Sequence, residues 1–348
     1  MNLRRLLSIV IKELRQLRRD RLTFAMIVGI PTMQLLLFGY AINLDVRNLD
    51  AAVLDQAQTV HARELVAVLS QTDVMNFKYR LAEPSQIDDL LRAGKISAAL
   101  VIPPDFERRL ALRDRPPLQI VVDGSDQVIQ QAARQLAGLP IDAALNPGAA
   151  LNPNQTMGNV EIVNFYNPER RAPVSTVPGL IGVILTMTMV LFTAIAIVRE
   201  RERGNLEFLI ATPVSPGELT IGKVLPFIGI GLIQVTVVLL LGLAIFHVPI
   251  RGTVLDVYTA ALVFIIASLS LGVFISTLAQ TQFQSMQLAF FTFLPQILLS
   301  GFMFPYAGMP WPAQWLAELL PMTHFVRLIR GIMLRGAGLT DLWPELAA

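Results

Sequence analysis

Residues able to do chemistry are few in this chain, and their spacing removes most catalytic readings. The run Gly217-Glu218-Leu219-Thr220-Ile221-Gly222-Lys223-Val224 comes nearest to a phosphate-binding loop. Such a loop offers backbone amides and a lysine to phosphates and a Ser or Thr hydroxyl to Mg²⁺, and it follows a strand. Val224 stands where the hydroxyl is required and no strand pattern precedes Gly217, so no nucleotide is expected to bind here. His61, His247 and His324 are far apart and lack metal-ligand spacing. Membrane-interface positions are expected for His247 and His324. Asp88–Asp89 and Asp123–Asp126 lie in polar stretches, where capping and surface solvation are the expected roles. No Asp, Glu, Lys or Arg falls in the middle of a long apolar run. That argues against a proton relay or an ion-coupled carrier, both of which need ionisable groups inside the membrane. Gln34, Gln234 and Gln296 do fall mid-run and are expected to hydrogen-bond between helices.

What remains is a polar island, residues 199–223, between two apolar runs, 173–198 and 224–250. Each run is long enough to cross a bilayer, because about 20 apolar residues of helix span the hydrocarbon core. The island opens with Arg199, Glu200, Arg201, Glu202 and Arg203. Gly204 should end the helix that enters it, Asn205 can cap a new one, and Pro213 limits that second helix to about two turns. A short helix held at the membrane face by two spans can receive force from a soluble partner.

The island resembles the cytoplasmic coupling segment of type 2 ATP-binding-cassette exporter permeases. Gly204, Glu207, Leu209, Ile210, Thr212, Pro213, Glu218, Gly222 and Lys223 fit that family's pattern. Asn205 stands where Thr is more usual and keeps the capping chemistry. The resemblance implies that Glu200, Glu202, Arg203, Gly204, Glu207, Phe208, Thr212 and Pro213 couple the chain to a separate ATPase subunit, which uses the ATP and Mg²⁺. No cofactor is expected on this chain.

Composition agrees with a membrane protein. Of 348 residues, 53% are hydrophobic and 16% charged, against about 25% charged in soluble domains. A net charge of +2 gives nucleic-acid binding no electrostatic support. The absence of cysteine rules out disulfides and Cys-ligated zinc.

Taken in order, residues 1–21 read as a cytoplasmic amphipathic helix in the membrane interface. Leu3, Leu7, Val10, Leu14 and Leu17 lie on one face, with Arg4 and Arg5 among the basic anchors. Residues 22–44 are the first span, and its basic flank places the N-terminus inside. Residues 45–172 alternate strand and helix patterns and read as an inserted extracytoplasmic α/β domain. Strands are expected at 51–54, 76–81, 96–102, 118–122 and 160–165. Helices are expected at 61–70, 84–93 and 104–113, with a long one after Ser125. Gly94 is expected to close the second of these helices. "GKISAALVIPPDFERRL", "VVDGSD" and "FYNPERRAPVSTVPGL" resemble the external domain and following junction of one branch of the same family.

Residues 173–304 hold spans two to five, and residues 305–348 read as interfacial or re-entrant helices. Trp311 and Trp315 are expected at the membrane–water boundary. Glycine pairs Gly179/Gly182 and Gly229/Gly231 allow close helix contacts. The expected fold is thus an α-helical polytopic membrane protein with five visible spans and an inserted α/β domain. The sixth span of the family pattern is missing, so either truncation or a natural short form is expected, with the C-terminus outside.

The resemblance implies a permease subunit of an exporter for amphipathic or hydrophobic compounds in a bacterial inner membrane. Its implied partners are an ATPase subunit, a second permease subunit, and a periplasmic adaptor with an outer-membrane channel. A membrane scaffold or sensor whose external domain binds a partner is the second reading left open.

Overall fold

The computed structural model describes residues 49–71, 74–112, 114–126, 129–130, 133, 160–204 and 216–348. The expected N-terminal helix with Arg4 and Arg5, and the first span with Gln34, lie outside these residues. So do the second island helix with Glu207, Phe208, Thr212 and Pro213, and most of the helix expected after Ser125.

Strands β1 (Leu49–Asp55), β2 (Met75–Leu81), β3 (Ala98–Ile102), β4 (Leu118–Asp123) and β5 (Val160–Phe165) form one sheet in the order β2-β1-β3-β4-β5. β1 is parallel to β2 and β3, β3 is antiparallel to β4, and β4 is parallel to β5. Helices α1 (Val60–Gln71), α2 (Ser85–Arg92) and α3 (Phe106–Leu112) connect the first four strands. Side chains alternate across a strand. Ala51, Val53, Leu100 and Ile120 therefore face Leu65 of α1 and Phe106 of α3. Ala52, Leu54, Ala99 and Val121 face Ile87 and Leu91 of α2. Apolar side chains on both faces explain why these strands read as near-continuous hydrophobic runs. Gly94 has φ +68° and ends α2 as expected.

Four long helices follow: α4 (Ala172–Glu202), α5 (Pro216–Ala244), α6 (Val254–Leu278) and α7 (Gln282–Leu299). Among the described residues, three are long and apolar enough to cross a membrane: α4, α6, and the Val224–Ala244 part of α5. α7 has 18 residues and carries Gln282, Gln284, Gln287 and Gln296, which dilute its apolar character. α5 stops at Ala244, short of the expected 250, because His247 turns with φ +52° and Val248 N–H bonds back to Gly242 O. His247 is an exposed turn residue. Two short helices, α8 (Trp311–Glu318) and α9 (Pro321–Arg330), precede a π-turn at Gly331–Arg335 and a final helix α10 (Trp343–Ala347).

α4 is the axis of the bundle. Half of its apolar window is buried within the chain, against 17% for α5, so α4 packs on protein where α5 presents side chains outward. Small residues bring its neighbours close. A Cβ at Gly272 of α6 would sit 2.9 Å from Thr193 Cβ and from the Val190 carbonyl of α4. A Cβ at Gly182 would meet the Phe325 ring of α9 at 2.9 Å, and Gly179 abuts Phe302. Phe325 in turn stacks on Phe264 of α6, with ring centroids 4.3 Å apart. Gly231 packs against Ile265 and Met189, but Gly229 has open space around it among the described residues, so only Gly231 of that pair serves packing there.

Replacing Gly272 with Val should therefore force α4 and α6 apart, at a cost of about 1–3 kcal/mol. The expected result is a clear fall in the melting temperature of the detergent-solubilised protein. Gly229→Ala, which meets nothing, should leave it unchanged or slightly raised, and an equal fall in both variants would refute the packing assignment.

Candidate functional site

The charged cluster sits on the last turn of α4. Arg203 N–H bonds to Arg199 O and Gly204 N–H to Arg201 O, both at 3.1 Å. Gly204 then takes φ +72°, a left-handed cap that only glycine adopts without strain. Around this cap the side chains reach neighbouring helix ends. Arg201 Nη1 donates to the carbonyls of Ser276 and Ala279, each at 3.1 Å, at the end of α6. Those carbonyls belong to a helix C-terminus, where acceptors lack intrahelical partners and a positive charge is favoured. Glu202 Oε2 accepts from Gln282 N–H at 3.3 Å and from Gln282 Nε2 at 2.8 Å, at the start of α7. There the exposed amides and the dipole favour a negative charge. Arg199 Nε donates to Gln282 Oε1 at 3.4 Å. Glu200 is half-buried, and Arg203 and Gly204 are exposed. Residues 217–223 continue the cluster inside α5, so the stretch that resembled a phosphate-binding loop is helical.

At the other end of α4 the chain enters from β5 through Tyr166–Arg171. Asn167 Oδ1 accepts from Arg171 N–H at 3.0 Å, and Ser175 Oγ donates to Gly124 O beside β4 at 3.4 Å. Arginines from the helical region grip the sheet region here. Arg330 Nη1 pairs with Asp126 Oδ2 at 2.8 Å and also donates to Gly301 O at 3.2 Å. Arg335 lies 3.6 Å from Asp123, and Arg251 donates to Tyr166 O at 3.1 Å. Tyr166 OH donates to Asp88 at 3.2 Å. Burial first, then the nearby Asp88 and Asp123 charges, push the Tyr166 phenol well up. The expected capping role holds for Asp123, whose Oδ1 accepts from Ser125 N–H at 2.9 Å, but the expected surface solvation is corrected. Asp123 is 5% exposed, and both acids face arginines about 200 residues further along the chain. A cavity of about 1040 Å³ beside these pairs is lined by Asp123, Asp126, Tyr306, Trp311, Arg330 and Arg335.

His324 is not a free interface residue either. It is 8% exposed, with Nδ1 2.7 Å from Glu345 Oε2 and Nε2 2.9 Å from Glu318 O. Arg327 joins the group, donating to Glu318 Oε1 at 2.6 Å and to Glu345 Oε1 at 3.2 Å. Its guanidinium also lies over the Tyr306 ring, 4.5 Å from the centroid. The Glu345 hydrogen bond outweighs burial and raises the His324 pKa above its ordinary 6.5. Burial pushes Glu345 up, but His324 and Arg327 outweigh it and leave its carboxyl below the usual range.

Within the bundle, Thr188 Oγ1 donates to Gln234 Oε1 at 2.9 Å, an interhelical bond of the kind expected. Gln296 differs: it is 1% exposed, and neither amide atom has a partner among the described residues. Trp311 and Trp315 are exposed on α8. Sequence reasoning missed Arg201, Arg330 and Arg335 as structural cations. The only available signal was their basic charge just past apolar segments.

Two outcomes follow. Arg330→Ala takes the cation from Asp126, whose side chain is 16% exposed, and should cost about 2–3 kcal/mol, read as a lower melting temperature in detergent, whereas an unchanged value would remove the pair from the junction. Because the folded His324 pKa is raised, its stabilisation is complete below about pH 6.5 and lost as pH rises through the raised value. Between pH 6 and pH 9 the wild-type melting temperature should fall more steeply than that of His324→Gln; parallel curves would contradict the assignment.

Comparison with known proteins shows the family of the chain. Residues 21–348 match the family model described as ABC-2 family transporter protein. The chain is 28% identical over 342 residues to the probable multidrug ABC transporter permease YbhR of Escherichia coli (strain K12), covering 98% of this chain and 93% of that protein. It is 28% identical over 340 residues to the probable multidrug ABC transporter permease YbhS, covering 96% and 89%. It is 27% identical over 361 residues to the inner membrane transport permease YhhJ, covering 99% and 92%; both are from the same organism. No solved structure matches. With the family pattern running from residue 21 to the last residue, across sheet, bundle and charged cap alike, this chain belongs to the ABC-2 transporter permease family.

Proposed function

We propose that the chain is the membrane-spanning subunit of an exporter energised by a separate ATPase, which docks on the 199–223 island through the segment that follows Gly204. The observation that carries the reading is the position of the charged cluster. It caps the most buried long helix of the bundle and passes directly into the segment containing Glu207, Phe208, Thr212 and Pro213. A force applied there acts on the helix that most of the bundle packs against.

In this reading Gly204 faces the cytoplasm, and the sheet region lies outside the inner membrane. Two permease subunits work with two ATPase subunits, and ATP and Mg²⁺ are held by the latter. The names of YbhR and YbhS support a cargo of amphipathic or hydrophobic compounds. A periplasmic adaptor and an outer-membrane channel complete the route on this proposal, and Trp311 and Trp315 anchor α8 at the membrane boundary.

The test is purification from native membranes in mild detergent, with mass spectrometry of bound proteins. A near-stoichiometric ATPase is expected. Glu207→Lys reverses a charge in the docking segment and should reduce substrate-stimulated hydrolysis at least five-fold while the permease stays folded. Undiminished stimulation would remove Glu207 from the coupling role, and the absence of any ATPase would favour a scaffold.

A further inference from the structure

We infer that Arg201 and Glu202 do not serve as contacts to the ATPase but form an intramolecular clasp, passing displacement of the α4 end to the turn between α6 and α7. This inference rests on the coupling function proposed above. The two residues are consecutive on the last turn of α4, yet they bind two different helix ends. Arg201 holds the final carbonyls of α6, and Glu202 holds the first residue of α7 by both its backbone and its side chain. Arg199 supplies a third contact to the same glutamine.

The gripped turn has little slack. Ala279 N–H is bonded to Ile275 O, Thr281 Oγ1 caps α7 by accepting from Gln284 N–H, and Gln284 Oε1 accepts from Gln280 N–H. A shift of the α4 end therefore carries both α6 and α7 with it. From α7 the chain continues to Gly301, whose carbonyl is held by Arg330, and Arg330 is paired with Asp126 beside the sheet. The clasp is the first step of a continuous set of contacts between the two ends of the bundle. Such a route needs a demonstrated energetic effect as well as adjacency.

Stability alone gives the exposed Arg199 and Glu202 contacts little purpose, since solvent-exposed ion pairs and hydrogen bonds contribute little to folding, while the part-buried Arg201 bonds go to carbonyls at a helix end. Their geometry instead fixes the relative position of three helix ends. Loss of the clasp should accordingly change transport per ATP hydrolysed without lowering the melting temperature, a separation that a purely structural role would not produce.

The chain contains no cysteine, which allows a clean test. The permease would be reconstituted in liposomes with its ATPase partner, carrying Glu202→Cys together with Gln282→Cys. Untreated, this variant should melt as the wild type does and lose at least five-fold in transport per ATP. Joining the two thiols with a short bis-methanethiosulfonate linker should restore at least half of the wild-type ratio, and reductant should abolish it again. Wild-type coupling without the linker would overturn the proposal. So would failure of the linked protein to recover, because the carboxylate itself would then be required. Glu202→Gln provides a second arm. It keeps a carbonyl acceptor for Gln282 and should stay within two-fold of the wild type, whereas a five-fold loss would indicate that the charge meets the ATPase. If the wild-type chain neither binds nor is driven by an ATPase, the proposed function fails, an outcome distinct from failure of the clasp.

Discussion

Close packing along α4 is the constraint on which the other contacts depend. The helix has 31 residues, about 46 Å at 1.5 Å per residue, longer than the ~30 Å hydrocarbon core of a bilayer. Its excess length is polar or capped at both ends. Asn167 and Ser175 tie its start to the sheet region, and Arg199, Arg201 and Glu202 tie its end to α6 and α7. Between these ends, Gly182 and Gly272 let Phe325 and α6 approach closely enough that little relative sliding is left. A helix held in this way moves as a body, and displacement at one end is felt at the other.

The two ends differ in the physics of their charges. At the sheet end, Arg330 and Asp126 have side chains only 11% and 16% exposed, and Arg335 and Asp123 are similarly buried. Removing one partner of such a pair is costly because the other charge is left desolvated. At the Gly204 end, the Arg199 and Glu202 contacts are solvent-exposed and the Arg201 contacts part-buried, so each contributes less than a buried charge pair. The junction with the sheet thus rests on a few costly charge pairs, and the cap of α4 rests on several weaker contacts that together fix three helix ends. That asymmetry suits a lever driven from its Gly204 end.

Much of this was legible in the sequence where the information is local. Short apolar runs and, at β2, alternation place β1 to β5 within a few positions, and the length of apolar runs finds α4, α5 and α6. Gly94 and Gly204 end their helices because each takes a positive φ. The α5 terminus was missed because residues 245–250 read as a continuation of the apolar run, although His247 interrupts it and Pro249 disfavours helix at the residue before it. Long-range charge pairing was invisible for a different reason. Nothing in the residues around Asp126 points to Arg330, 204 positions away. His324 was read as an interface residue because its partner Glu345 lies 21 positions away, across the π-turn Gly331–Arg335.

The charged cluster shows how composition and geometry divide the work. A dense mixed-charge run beside a membrane span reads as a docking surface, since its charges have no evident partners in the sequence. Geometry gives Arg201 and Glu202 partners inside the chain, on the two helix ends that complement their charges. The alternation of signs in Arg199-Glu200-Arg201-Glu202-Arg203 then has a physical reason: a helix end that meets both a C-terminus and an N-terminus is complemented by a cation and an anion side by side. Reversing the order of Arg201 and Glu202 would keep the composition of the island unchanged. It would nevertheless present each charge to the helix end that repels it, so net charge alone cannot define the function of this segment.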